Sequence, residues 1–206
     1  MKLPLVIFLL SLCFGCIKLD TLGDGKTDIK QAFSDIIADS LVERIAVSDE
    51  KLTHRFVHRV EEKRFFSDAQ QADIFSLVFM GTGWLDSRVW LTITRLDGKV
   101  IYSDCFDSMA LVNHDLLIEV SNPSDLDRAD YIQKRAATFF DTNKFVIPAI
   151  RDPLEYEARY SDREVWNSIA STPNAVGFYY VLYEEKGKGV AYNCETGKAD
   201  VYFNCC

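Results

Sequence analysis

From position 28 the apolar residues Ile29, Phe33, Ile36, Ile37, Leu41 and Ile45 return at helical period while Asp35, Asp39 and Glu43 fall between them, which predicts an amphipathic helix. Asp28 is placed to cap that helix, with Gln31 able to reach back to it. Residues 53–60 fit two periods: His54, Phe56, His58 and Val60 share one face of a strand, and His54 and His58 also stand one helical turn apart. The strand is the preferred reading. Residues 74–80 form a short apolar run, and residues 88–94 and 99–105 flank Asp97-Gly98, a strong hairpin signal. The hairpin places Val89, Leu91 and Ile93 on a core face with Val100, Tyr102 and Phe106.

After Asn122-Pro123-Ser124 a second helix is predicted over 125–140, with Leu126, Ala129, Ile132, Ala136 and Phe140 inward and Asp127, Arg128 and Lys134 outward. Beyond residue 140, Pro148 and Pro153 interrupt regular structure. A short helix over 162–171 precedes three strands near 176–183, 189–194 and 199–205, separated by turns at Gly187 and Gly197. The expected fold class is α+β: an antiparallel sheet, with a hairpin near 88–105 and a C-terminal meander over 176–205, packed against two or three helices. No internal repeat or low-complexity block divides residues 28–206, which read as a single domain.

The hydrophobic share of 48% and charged share of 26% over 206 residues are ordinary globular usage, enough for a sizeable core. Formal charge of -8 is the wrong sign for binding nucleic-acid backbones or anionic lipid surfaces, so no nucleic-acid partner is expected. The same sign suits a basic protein partner, and it also serves solubility.

The chain starts with Met1-Lys2, continues apolar from Leu3 to Leu12 apart from Pro4 and Ser11, and then reads Cys13-Phe14-Gly15-Cys16. Lys18 and Asp20 close the apolar run well short of the roughly 20 residues a membrane-spanning helix needs. This layout is that of an export signal, and it resembles a bacterial lipoprotein signal, in which a small residue precedes the cysteine that takes the lipid. Gly15-Cys16 matches that rule, while Cys13 and Phe14 stand where Leu and a small residue are usual. The resemblance covers residues 1–20 and implies cleavage before Cys16, lipid attachment (palmitate among the acyl chains) at Cys16, and, with Ile17 rather than Asp following, an outer-membrane address facing the periplasm or the surface. Ordinary cleavage after Gly15 is the alternative and gives a soluble secreted or periplasmic protein. Residues 1–15 are then the signal and residues 16–27, polar with Gly23 and Gly25, a tether. Removing Lys2 takes the formal charge from -8 to -9.

Cys105, Cys194, Cys205 and Cys206 remain for the body, and an oxidising compartment makes all four candidate disulfide cysteines. A hairpin turn centred on Thr196-Gly197 would put Cys194 opposite Ala199 and Cys205 opposite Lys188, too far apart to bridge, so Cys105 is expected to pair with one of the C-terminal three. No C-x2-C spacing points to zinc, and no metal site is expected.

Chemistry-bearing residues are sparse. His54 and His58 lack the intervening glutamate of a zinc-protease helix and are crowded by Arg55 and Arg59. The basic set Arg55, Arg59, Lys63 and Arg64 reads as a solvated strand face. No G-x-S-x-G elbow surrounds a serine, and Gly81-Thr82-Gly83 lacks the third glycine of a dinucleotide loop, so no cofactor is expected. Aromatic residues concentrate in the meander, where Tyr179 and Tyr183 alternate against Phe178 and Tyr180. One face suits the core. The other suits binding, with Tyr179, Tyr183, Tyr192 and Tyr202 as candidate contacts. The sequence thus points to an exported envelope lipoprotein, not an enzyme, whose acidic domain binds a protein, as an immunity or inhibitor protein or an accessory of an envelope complex. The alternatives are an envelope hydrolase or metalloenzyme using His54, His58 or His114, and a structural envelope component.

Overall fold

The computed structural model describes residues 56–205. The expectations for the signal, the tether, Cys16, the helix from Asp28, His54, Arg55 and Cys206 lie outside those residues. The described chain is α+β, with two four-stranded antiparallel sheets and three α-helices. The first sheet runs in sequence order β1 (Phe56–Phe65), β2 (Ala72–Gly81), β3 (Arg88–Thr94) and β4 (Val100–Asp107). A 3-10 turn at Ser108–Leu111, α1 (His114–Glu119) and α2 (Asp125–Ala137) then lead to the second sheet. That sheet comprises β5 (Phe145–Val146), β6 (Gly177–Leu182), β7 (Lys186–Asn193) and β8 (Lys198–Asn204), with α3 (Arg163–Ala170) inserted before β6.

Alternation decides which residues enter the core. Phe75, Leu77 and Phe79 on β2 and Val89, Leu91 and Ile93 on β3 are wholly buried, as are Phe178 and Val190 of the second sheet. The rings of Phe75 and Phe178 meet edge to face at 5.3 Å, and Phe75 also lies 5.7 Å from Phe140 and 5.2 Å from Phe145. The two sheets and the chain leaving α2 therefore share one core.

The helices obey their caps. Ser124 and Asp127 form a reciprocal capping box at the start of α2, and the Asp162 carboxylate accepts from the backbone N–H groups of Glu164 at 2.9 Å and Val165 at 3.0 Å at the start of α3. Within α2, Ile132 and Ala136 are buried as expected, and Phe140 just beyond it is also in the core. Leu126, expected inward, is 71% exposed, because the first turn of α2 runs out past the packed region. The six-residue α1 carries too short a pattern to be read as a helix, and its local signal is the Asn113 cap.

Both hairpins use longer turns than a bare two-residue reading implies. At the first, Gly98 donates to the Arg95 carbonyl at 2.9 Å and itself adopts φ 82°, giving a three-residue loop with a left-handed glycine. A bulge follows between Ile93 and Thr94, so Ile101 turns inward and Val100, expected in the core, stays about half exposed. At the second, residues 194–197 form the loop, closed by the Gly197 N–H on the Asn193 carbonyl at 2.9 Å, with Gly197 at φ 65°. The register is accordingly Tyr192 opposite Ala199 rather than Cys194 opposite Ala199. Beyond a further bulge it becomes Lys188 opposite Asn204, not Cys205. Among the described residues no helix is long and apolar enough to cross a membrane.

On the outer face of the second sheet, glycines make room for tyrosines. A Cβ at Gly177 would meet the Tyr202 hydroxyl oxygen at 2.7 Å, and one at Gly189 would meet the Tyr202 ring at 2.8 Å. Tyr179 in turn lies over Gly187. Gly177→Ala is expected to destabilise the fold by about 1–3 kcal/mol through overpacking. Gly83→Ala, where nothing lies within 4 Å of the added carbon, should stay within about 0.5 kcal/mol. Denaturant unfolding of the two variants checks this, and equal stabilities would contradict it.

Candidate functional site

The outer face of the second sheet is divided. Over one end of β7 and β8, α3 covers it: Trp166 and Ile169 pack on Ala191 and Tyr202, and the Trp166 indole N–H donates to the Pro153 carbonyl at 3.2 Å. Ser168 donates to the Asn193 side-chain carbonyl at 2.9 Å, holding α3 on β7. Toward the other end no helix among the described residues packs on the strands, and Tyr179 is 37% exposed and Tyr183 45% exposed.

An aromatic row runs across this open end. Tyr179 lies 6.2 Å from Phe203, and Phe203 lies 5.7 Å from Tyr160, centre to centre. Tyr160 belongs to the row because its loop caps the outer edge of β8: the Asn204 N–H donates to the Tyr160 carbonyl at 2.8 Å, and the Ser161 hydroxyl donates to the Tyr202 carbonyl at 2.7 Å. The stretch from Tyr202 to Asn204 of that edge is thereby closed to pairing with another strand. Cations lie on the rings, with the Arg159 guanidinium 4.3 Å from the Tyr160 centroid and the Lys186 ammonium 5.1 Å from that of Tyr183. Aromatic rings with stacked arginine, backed by a rigid sheet, are the side chains that dominate protein interfaces.

The four candidate tyrosines divide. Tyr179 and Tyr183 stand on the open surface, and Tyr192 is half-buried against the core. Tyr202 is 7% exposed, because the bulge in β8 turns it under α3 onto Gly177 and Gly189, so it serves packing instead of contact. Burial, together with neighbouring Tyr179, pushes the Tyr202 phenol up to about 12.

The cysteines also divide. Cys105 and Cys194 are exposed free thiols, so the bridge expected from Cys105 to the C-terminal cysteines is not made. Cys105 points to solvent on β4, and Cys194 sits in the 194–197 loop. Cys205 is disulfide-bonded, to neither of them. Burial raises the Cys105 thiol above its ordinary value, which keeps it protonated and poorly nucleophilic near neutral pH.

His58 packs edge to face on Trp84 at 4.7 Å, with Phe56 and Phe79 on the same indole. His114 is exposed at the first position of α1. Among the described residues no group of three or more His, Cys, Asp or Glu could hold a metal ion. The basic set is not one solvated face: Arg64 turns inward, donates to the Phe140 carbonyl at 2.9 Å and lies 5.3 Å from the Phe145 centroid.

One polar group joins the sheets and has no local sequence signal. Tyr180 donates to the Asp104 carboxylate at 2.7 Å, and Lys188 donates to the same oxygen at 2.7 Å. The Tyr102 and Tyr180 hydroxyl oxygens are 2.7 Å apart, and since the single Tyr180 proton points to Asp104, Tyr102 is the donor between them. Asp104 and Tyr102 belong to β4 and Tyr180 and Lys188 to β6 and β7, so the four tie one sheet to the other. Burial, reinforced by Tyr102 and Asp104, holds the Tyr180 hydroxyl protonated far above the ordinary phenol range. Burial also pushes Tyr102 up to about 12, against the opposing effect of its bond to Tyr180. With its carboxylate charge-paired and its phenols locked in the neutral form, the group acts as a clamp and offers no proton at neutral pH.

Comparisons with protein-family models, with curated proteins and with solved structures find no match to this chain.

The raised phenols set an alkaline limit. Tyr102 and Tyr202 bind their protons more tightly folded than unfolded, so the stability linked to them is complete below pH 10 and falls as pH rises toward about 12. Unfolding free energy measured across that window should drop steeply and drop less for Tyr202→Phe, whereas a flat profile, or an identical slope in the variant, would contradict the assignment.

Proposed function

We propose that the chain is an exported cell-envelope lipoprotein, anchored by lipid on Cys16, whose acidic α+β domain binds another protein. An immunity or inhibitor role, or an accessory role in an envelope complex, fits that description. The observation that carries the binding reading is the open end of the second sheet, where Tyr179 stands exposed in a row with Phe203 and Tyr160, and Tyr183 is exposed in the turn that follows β6. Two features make these rings suitable anchors. The backbones of Tyr179 and Phe203 are held in a hydrogen-bonded sheet, and the turns carrying Tyr160 and Tyr183 are tied by backbone hydrogen bonds to Asn204 and Ala110, so little ordering is required on binding. Arg159 lies over the Tyr160 ring and Lys186 over the Tyr183 ring, so the face tolerates water when unoccupied. Net acidity supports a basic partner by speeding encounter. Export and anchoring rest on the signal-like start and on Gly15-Cys16.

Expression of the full chain in an envelope-bearing bacterium tests both halves. The native chain should fractionate with membranes with an acylated Cys16 amine, and Cys16→Ser should release it to the soluble fraction. A protein partner recovered from envelope extract should bind Tyr179→Ala at least about tenfold more weakly, the loss expected on truncating an interface anchor, with thermal stability unchanged. An unmodified Cys16 amine would end the anchoring reading. Unaltered partner affinity in both Tyr179→Ala and Tyr183→Ala would end the binding-face reading.

A further inference from the structure

A second surface of different chemistry lies on α1 and the first turn of α2. Leu117 is 47%, Ile118 72% and Leu126 71% exposed, three large apolar side chains held in solvent within ten residues of chain. Their separation in space is bounded. The Tyr131 hydroxyl donates to the side-chain carbonyl of Asn113, the cap of α1, and so pins α2 against the start of α1. Ile118 and Leu126 each lie five residues from that bond, roughly 7.5 Å of helix. The neighbouring Leu116 and Pro123 are buried, which fixes the connecting segment and leaves the other apolar groups facing out.

The charge carried on these two helical segments is mostly negative. Asp115 stands three residues before Ile118 and Asp130 four residues after Leu126, on the same helix sides, with Glu119, Asp125 and Asp127 nearby in the chain; Arg128 is held 2.9 Å from Asp125, and Arg135 donates to the Val181 carbonyl. Asp127 is engaged in the capping box, and the hydrogen bonds from Ser124 hold its carboxyl below the usual range, so it stays ionised. Apolar anchors flanked by carboxylates complement one kind of occupant well: a helix with one apolar face and lysine or arginine beside it, whose anchors recur every three or four residues, about 5–6 Å apart. A second copy of the same surface would bring like charges together.

We propose that the corner formed by α1 and the start of α2 docks a basic, amphipathic helical segment of a partner protein, with Leu117, Ile118 and Leu126 as apolar anchors and the nearby carboxylates selecting positive charge. This surface is separate from the tyrosine face.

The test uses the full chain and synthetic peptides of about 18 residues, long enough to form a helix on binding: one with Leu and Lys at amphipathic spacing, one with Leu and Glu, and one with Lys and Ser at equal charge. The Leu/Lys peptide should bind, the Leu/Glu peptide should not, and the Lys/Ser peptide should bind at least about tenfold more weakly. Combining Ile118→Ser with Leu126→Ser should cost at least about tenfold in Leu/Lys affinity, while Asp115→Asn with Asp130→Asn should weaken binding and reduce its salt dependence. Ile118→Ser with Leu126→Ser changes only exposed side chains, so its melting should be unaffected; Asp115 accepts from the Asn113 side chain at 3.0 Å, so the Asp115→Asn/Asp130→Asn pair is compared at temperatures where both proteins are fully folded. Equal binding by the Lys/Ser peptide, or an Ile118→Ser/Leu126→Ser variant that binds as before, would overturn the proposal. So would a wild-type dimer in sedimentation that this variant abolishes, since a second copy would then be the occupant. Tyr179→Ala is expected to leave peptide binding unchanged. Because the tyrosine face is read on the native partner and this corner on the peptide, either can fail without the other.

Discussion

The contact between Phe75 and Phe178 is the constraint on which the rest of the architecture depends. Both rings are wholly buried, and around them Phe140 and Phe145 complete a cluster drawn from the first sheet, the exit of α2 and the second sheet. Losing a phenylalanine from such a cluster costs on the order of 3–5 kcal/mol, comparable to a large part of a domain's net stability. Each sheet alone would expose one apolar face. Closing them on each other removes both faces from water, and that closure decides which face of β6 is left outside.

The polar clamp and the open face are consequences of that closure. Once Phe178 and Tyr180 turn inward, alternation sends Tyr179 outward, and the Tyr180 hydroxyl must find a partner in the core. It finds Asp104, which takes its charge balance from Lys188 across the strand pair. The pair is half-buried, with side-chain exposures of 19% and 27%, so it serves orientation of the sheets more than net stability. The outer face then needs to fit Tyr202 beneath α3 and Tyr179 beside it, and the glycines of β6 and β7 supply the clearance.

Much of this was legible in the chain. The alternation in residues 178–182, the Asp97-Gly98 turn and the helix starts after Asn122-Pro123-Ser124 and near residue 162 each encode a local choice that the packing leaves in place. Registers were less legible, because loop length decides them: a four-residue loop at 194–197 shifts every partner of β8, and bulges opposite Ile93 and Gly189 turn Ile101 into the core and Tyr202 beneath α3. The burial of Tyr202 is of that kind, as is the exposure of Val100. The clamp was not legible because its members are brought together across 76 to 84 residues, and nothing near Asp104 marks Lys188 as its partner.

The central claim is that the two sheets fold as one unit around the shared aromatic core. Native-state hydrogen exchange measures this directly. The slowest amides of β2, β3, β6 and β7 should exchange with one common free energy, equal to that of global unfolding. If the amides of β6 and β7 instead opened at a distinctly lower free energy while β2 and β3 stayed protected, the second sheet would be an independent unit and the account would be contradicted.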